Sequence, residues 1–331
     1  LNFFACRRSD WLLRLIGLYG GAAELLRRPA EELAAASGAM PETIARLKVQ
    51  TAEADPEKEM LEAERAGVSV LTSLDEAYPE LLNSIYDPPL VIYVKGSLKD
   101  MPAAAVVGTR KATPYGLRMA ASLADGLARA GAAVASGLAR GVDTAAHEAA
   151  LEAGGVTWAA LGSGLNCVYP AENRRLADRI AASGGALVSE FPLDSGPMPA
   201  NFPRRNRVIS GLSLATVVVE GGFDSGAMIT ARFAAEQNRE VLGVPGQADS
   251  PLSRGPNHLI KNGACLAENA ADVISCFPPD RLFGLKLPEG WAGSAPALPA
   301  GLSPDALEAY GAIAGSGSGL NADELTEALG W

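Results

Sequence analysis

Residues 104–116, AAVVGTRKATPYG, decide the fold. Ala104–Val107 is a short apolar run with no polar residue inside it, as expected of a strand buried on both faces. Gly108-Thr109-Arg110-Lys111 then reads as a polar turn, and a helical pattern follows over residues 115–130. The same rhythm spreads outward in both directions. Candidate strands are Leu90–Val94, Ala132–Ala135, Thr157–Leu161, Ala186–Ser189, Ala215–Val219 and Glu240–Val244, with further helices expected near 143–153, 172–183 and 227–238. Apolar strands alternating with helices predict an α/β fold with a mostly parallel sheet covered on both faces.

The flanks follow a different pattern. Residues 1–55 read as a small helical domain, its apolar set Leu12, Leu13, Ile16, Leu25, Leu26, Leu33, Ile44 and Leu47 broken by the turn at Gly17–Gly21. This is the outline of a helix-hairpin-helix unit, which either packs or touches a DNA backbone through main-chain amides. Residues 56–277 form the central domain. Beyond it, 278–303 is rich in Pro, Gly and Ala and reads as a linker. Two helices expected at 304–314 and 322–329, the second with Asn321 as N-cap, make the opening half of a winged-helix module in 304–331.

Composition sets limits. With 331 residues, 48% hydrophobic, 20% charged and a net charge of -10, the chain is globular rather than disordered or fibrous. The acidity lies in the flanks: residues 101–275 carry 15 Lys and Arg against 15 Asp and Glu, so basic pockets can form there and a polyanion ligand remains compatible with the net charge. Four cysteines without CxxC spacing and two histidines argue against a structural zinc, and no metal or cofactor is expected. No apolar run reaches the roughly 18 residues that cross a bilayer, which points to the cytoplasm.

Four segments could carry chemistry. After the first strand, Gly108 allows close backbone approach, Thr109 supplies a hydroxyl and Arg110 a fork of donors suited to phosphate; the alternative is a solvated surface turn. Residues 136–147, SGLARGVDTAAH, end a second strand and open a helix, with Asp143 placed as an N-cap and His147 one turn later, either structural or a catalytic pair. Residues 201–210, NFPRRNRVIS, concentrate three arginines beside Phe202. They suit a single-strand binder whose aromatic face takes a base, or else a salt-bridged helix start covering the sheet. The fourth includes the turn at Ser225-Gly226, His258, and Lys261 as a point charge able to reach the same edge. There is no GxGxxG fingerprint, GxxxxGK[ST] loop, GxSxG elbow or metal-binding His pair, so dinucleotide, ATPase and serine-hydrolase readings lose their support.

Taken in order, VVGTRKATPYG, SGLARGVDTAAH, LGSGLNCVYPAEN, SEFPLDSG, FPRRNRVISGLS, VVVEGGFDSGAMIT and VPGQADSPLSRGPNHLIKNGA resemble the blocks of the DNA-processing protein A family, also called DprA or Smf. The resemblance covers roughly residues 100–275. It implies an extended Rossmann-like domain, not an enzyme, that binds single-stranded DNA, forms a homodimer and loads RecA recombinase onto incoming DNA during natural transformation. Carried over by motif, the strand-binding pocket would use Gly108, Thr109, Arg110, Ser136, Gly137, Arg140, Phe202, Arg205, Asn206, Arg207 and Lys261. The family commonly has serine where Thr109 stands, and the C-terminal module is incomplete here. A competing reading from another class is a phosphoribohydrolase-like, nucleotide-processing enzyme that uses Glu220 or Asp143 as acid or base. A third is a plain interaction scaffold.

Overall fold

A computed structural model describes residues 10–282 and 284–286, with single residues at 303, 305, 306, 309 and 326 beyond them. Most of the expected linker at 278–303 and of the expected terminal helices at 304–314 and 322–329 lies outside the described residues.

Nine strands form one sheet: β1 (Val68–Thr72), β2 (Val91–Gly96), β3 (Ala103–Val107), β4 (Ala133–Ser136), β5 (Thr157–Leu161), β6 (Ala186–Ser189), β7 (Ala215–Val218), β8 (Glu240–Gly243) and β9 (Cys265–Leu266). Their order is β1-β2-β6-β5-β4-β3-β7-β8-β9. All neighbours from β6 to β9 pair parallel, while β2 joins β6 and β1 joins β2 antiparallel. The fold is therefore α/β with a mostly parallel sheet, as expected.

Period-two alternation shows why β3 can be apolar throughout. Ala104 and Val106 belong to a core with α7 (Pro114–Ala130) and α8 (Val142–Glu152), whereas Ala103, Ala105 and Val107 face a second core with α10 (Asn201–Gly211) and α11 (Gly226–Glu236). Three alanines in five residues let helices close on both faces. α9 (Arg174–Ala182) and α5 (Pro56–Arg65) build a third core against the β1, β2 and β6 end. Four N-terminal helices, α1 (Asp10–Tyr19), α2 (Ala22–Arg27), α3 (Ala30–Ser37) and α4 (Pro41–Glu53), enclose their own core of Trp11, Leu12, Leu15, Leu25, Leu33, Ile44 and Leu47. Gly17 lies inside α1, so the expected break falls later, at Gly20-Gly21, where both glycines have positive φ.

Smaller elements complete the chain: α6 (Glu80–Asn83), α12 (Arg254–Lys261) and α13 (Ala270–Ser275). The crossovers set up the site. From β3 the chain steps to β4, β5 and β6 on one side, then returns to place β7 on the other side of β3 and continues to β8 and β9. The loops after β3 and β7 thus part in opposite directions at the carboxyl edge, the position where doubly wound sheets bind ligands.

Candidate nucleic-acid interface

The carboxyl edge is tied together by backbone contacts before any ligand is considered. Thr109 N donates to the Glu220 carbonyl at 2.8 Å, and Val142 N donates to the Thr109 carbonyl at 3.3 Å. Gly108 lies so near α8 that a Cβ there would meet Val142 Cγ2 at 2.5 Å. Ser136 is buried at the end of β4 and its Oγ donates to the Val106 carbonyl at 2.6 Å, which fixes β4 against β3 beneath the loops. Glu220 is buried as well, and accepts from Thr113 N at 2.9 Å and Thr113 Oγ1 at 2.5 Å. It holds the start of α7 to the end of β7.

Above this frame is a narrow notch lined by Arg110, Gly137, Arg140, Tyr169, Phe202 and Arg205. Arg110 is exposed, makes no ion pair among the described residues and places its guanidinium 5.4 Å from the centre of the Phe202 ring. Tyr169 also packs against that ring, tilted by 53° with centroids 5.6 Å apart. Arg140 forms one wall through a two-pronged pair with Glu172. Enclosed volume is only about 10 Å³, room for one water at most. A base cannot be swallowed here; an anionic chain can lie across it.

Arg205 forms the floor, and it is buried. Its Nη1 donates to the Gly137 carbonyl at 2.6 Å and to the Ala160 carbonyl, and Nε reaches Asn206 Oδ1 at 3.3 Å. Its neighbour across Gly137 is Asp143, whose Oδ2 accepts from Gly137 N at 3.0 Å and Ala139 N at 3.3 Å. Gly137 must be glycine, since a Cβ would come within 2.8 Å of both Arg205 Nη2 and Asp143 Oδ2. Burial pulls the Arg205 guanidinium down to about 10, opposed by Asp143; burial also pushes the Asp143 carboxyl up, opposed chiefly by Arg205. The pair is a buried brace. Asp143 is not the helix N-cap expected from the sequence, a place taken by Gly141.

His147 is buried on the same helix, its Nδ1 2.6 Å from Thr157 Oγ1, which itself donates to the Val134 carbonyl at 2.6 Å. Burial, and then the charge of Arg205, hold its pKa at about 3, below the usual 6.5. The unfolded chain therefore takes up this proton as pH falls below 6.5 while the folded chain refuses it until about 3. Its contribution to stability is intact above pH 6.5 and declines through that window. Urea midpoints of the parent and of His147→Leu, compared across the window, are expected to show an acid slope steeper in the parent by about 1.4 kcal/mol per pH unit. Parallel slopes would place the ring in water.

Of the eleven expected binding residues five line the notch; Gly108, Thr109 and Ser136 belong to the frame beneath it, and three more lie elsewhere. Asn206 donates from Nδ2 to the Gly226 carbonyl at 3.0 Å, so it staples α10 to α11. Arg207 points away into a buried ion pair with Glu190 at 2.7 Å and Asp87 at 3.4 Å, and Arg204 joins Glu190 at 2.8 Å. Lys261 is the last residue of α12, between β8 and β9, and does not line the notch. Conversely, Tyr169 and Pro170 line the notch, and Glu172 pairs with its Arg140; none of the three is among the residues expected from the sequence, although they stand within the NCVYPAEN run. Both carboxylates considered as acid or base, Glu220 and Asp143, are occupied by main-chain amides.

Comparison with known proteins agrees with this architecture. The family model described as DNA recombination-mediator protein A matches residues 69–278. Protein Smf of Escherichia coli (strain K12) is 47% identical over 201 residues, 60% of this chain and 54% of that protein; DNA processing protein DprA of Bacillus subtilis (strain 168) is 40% identical over 215 residues, 64% and 72%. The chain spans about half the length of the Escherichia coli and Synechocystis Smf proteins, 54% and 52%. Among solved structures, DprA from Streptococcus pneumoniae superposes with a TM-score of 0.71 at 33% identity, over 84% of this chain and 98% of that one. DprA from Helicobacter pylori, a structure concerned with its single-stranded DNA binding mode, gives 0.56 at 32% identity, over 62% and 93%.

Proposed function

This chain belongs to the DNA recombination-mediator protein A family, and from that premise and the shape of the notch we propose that residues 56–277 bind single-stranded DNA along the carboxyl edge of the sheet. Arg110, Arg140, Phe202 and the backbone at Gly137 make the contact surface, while Thr109, Gly108, Ser136 and Arg205 hold it in shape. The observation that carries the reading is the Arg110 guanidinium, without an ion pair among the described residues, held over the Phe202 ring. A cation beside an aromatic face suits a phosphate and its neighbouring base without regard to sequence. The family likeness further supports a role in which bound DNA is protected and handed to RecA recombinase during natural transformation, by a homodimer in the cytoplasm and without catalysis.

A gel-shift series on single- and double-stranded DNA at several salt concentrations tests this. Single-strand binding is expected to weaken steeply with salt, because each phosphate contact releases condensed counterions. Arg110→Ala is expected to weaken it about tenfold, the worth of one charge-assisted contact, and to flatten the log–log salt slope by about 0.7. An unchanged slope removes Arg110 from the interface. Release of free base from a nucleoside monophosphate would replace this reading with a nucleotide hydrolase.

A further inference from the structure

The loop after β3 has two sides, and the notch uses one. On the other side, with the first turn of α7, it opens onto a separate cavity of about 590 Å³. Thr113, Tyr115 and Arg118 form one wall, and Gln247, Ser250 and Ser253 from the segment after β8 form the facing wall. This cavity stands where the loops after β3 and β7 diverge, at the crossover reversal of the sheet.

Its lining is built for a ring and a charge. The Tyr115 hydroxyl donates to the Pro245 carbonyl at 2.6 Å, which fixes the ring although 36% of the residue is exposed. Burial, followed by Glu220 and Glu268, pushes its pKa upward, so the hydroxyl stays a neutral donor. Arg118 is exposed and makes no ion pair among the described residues. Glu220 lines the cavity too, but both its oxygens are held by Thr113. An immobilised aromatic face beside a guanidinium is the pairing that takes a base and its phosphate.

We infer that the Tyr115–Arg118 cavity is a second subsite for the same single strand, which passes over the β3 loop from the notch. Two to three strand spacings of about 4.8 Å separate them, about 10–15 Å along the rim, a span that a few nucleotides cover. This rests on the notch being the primary site.

The test measures fluorescence anisotropy of oligo-dT of about 4 and about 20 nucleotides, lengths at the two ends of single-strand site sizes, with the full chain and its variants. Tyr115→Ala and Arg118→Ala are each expected to weaken the longer strand about fivefold, as loss of one stacked base does, and to leave the shorter one unchanged. Tyr115→Phe, which keeps the ring, retains most of the affinity. Long-strand affinity that both alanine variants leave intact, while Arg110→Ala weakens both lengths, overturns the second subsite and spares the notch. Equal losses on both lengths also overturn it, because Tyr115 and Arg118 would then act on the notch itself. Indifference of both lengths to Arg110→Ala overturns the notch reading and, with it, this continuation.

Discussion

Arg205→Ala is expected to lower folding stability by about 2–6 kcal/mol, from about 1–3 kcal/mol for each of the two buried carbonyls it leaves unpaired. The side chain is 5% exposed and caps two carbonyls, those of Gly137 and Ala160, from a position no water reaches easily. Truncation strands both acceptors and leaves the Asp143 carboxyl buried without its counter-charge, in a site where burial already pushes its pKa up. A whole domain commonly holds only about 5–15 kcal/mol, so this loss removes a large share of the margin. Arg205→Lys, which keeps the charge without the fork, gives an intermediate loss if the full truncation does not fold. Arg110→Ala should leave the urea midpoint in place, since Arg110 is exposed and caps nothing. The two arginines, 5.4 and 6.0 Å from the same Phe202 ring, thus separate by assay: one by denaturation, the other by DNA affinity. An Arg205→Ala protein of parental stability and weakened DNA binding would make Arg205 a ligand group instead of a brace.

That split also shows what the sequence could and could not say. Short apolar runs were legible because a strand buried on two faces is built mostly of apolar residues, and β3, β4, β5, β6, β7 and β8 all appear within two residues of their expected ends. β1, β9, α6, α12 and α13 were not, being short or placed by contacts distant in sequence. The arginine run at 204–207 was read as one cluster, yet a helix turns about 100° per residue. Arg204 and Arg207, three apart, share a face and meet Glu190; Arg205 points to the other side, toward Gly137. Spacing alone contained that division. Lys261 illustrates a related point: it closes the helix 254–261 between parallel strands β8 and β9 and does not line the notch. Phosphate chemistry is a property of residue type, but convergence is a property of direction along the chain.

The Glu190 cluster sits on the other side of the arginine helix. Glu190 is 1% exposed at its side chain, and its Oε2 lies 2.8 Å from Arg204 and 2.7 Å from Arg207. Glu190→Ala is expected to cost about 3–5 kcal/mol, read as a fall in urea midpoint, because Arg207 is left with Asp87 at 3.4 Å as its ion-pair partner. Glu190→Gln keeps the shape and one acceptor but not the charge, so its loss should be smaller. Combining Glu190→Ala with Arg207→Met removes the stranded cation together with its partner and should recover part of the stability; the two changes touch one network, so they are expected to be non-additive. Additive losses would show that Glu190 and Arg207 stabilise independently, through packing. Coupled losses tie α10, which carries Phe202 and Arg205, to the β6 end from beneath. The notch would then depend on a buried charge pair that never touches DNA, and Glu190→Gln should weaken strand binding without changing the number of counterions released.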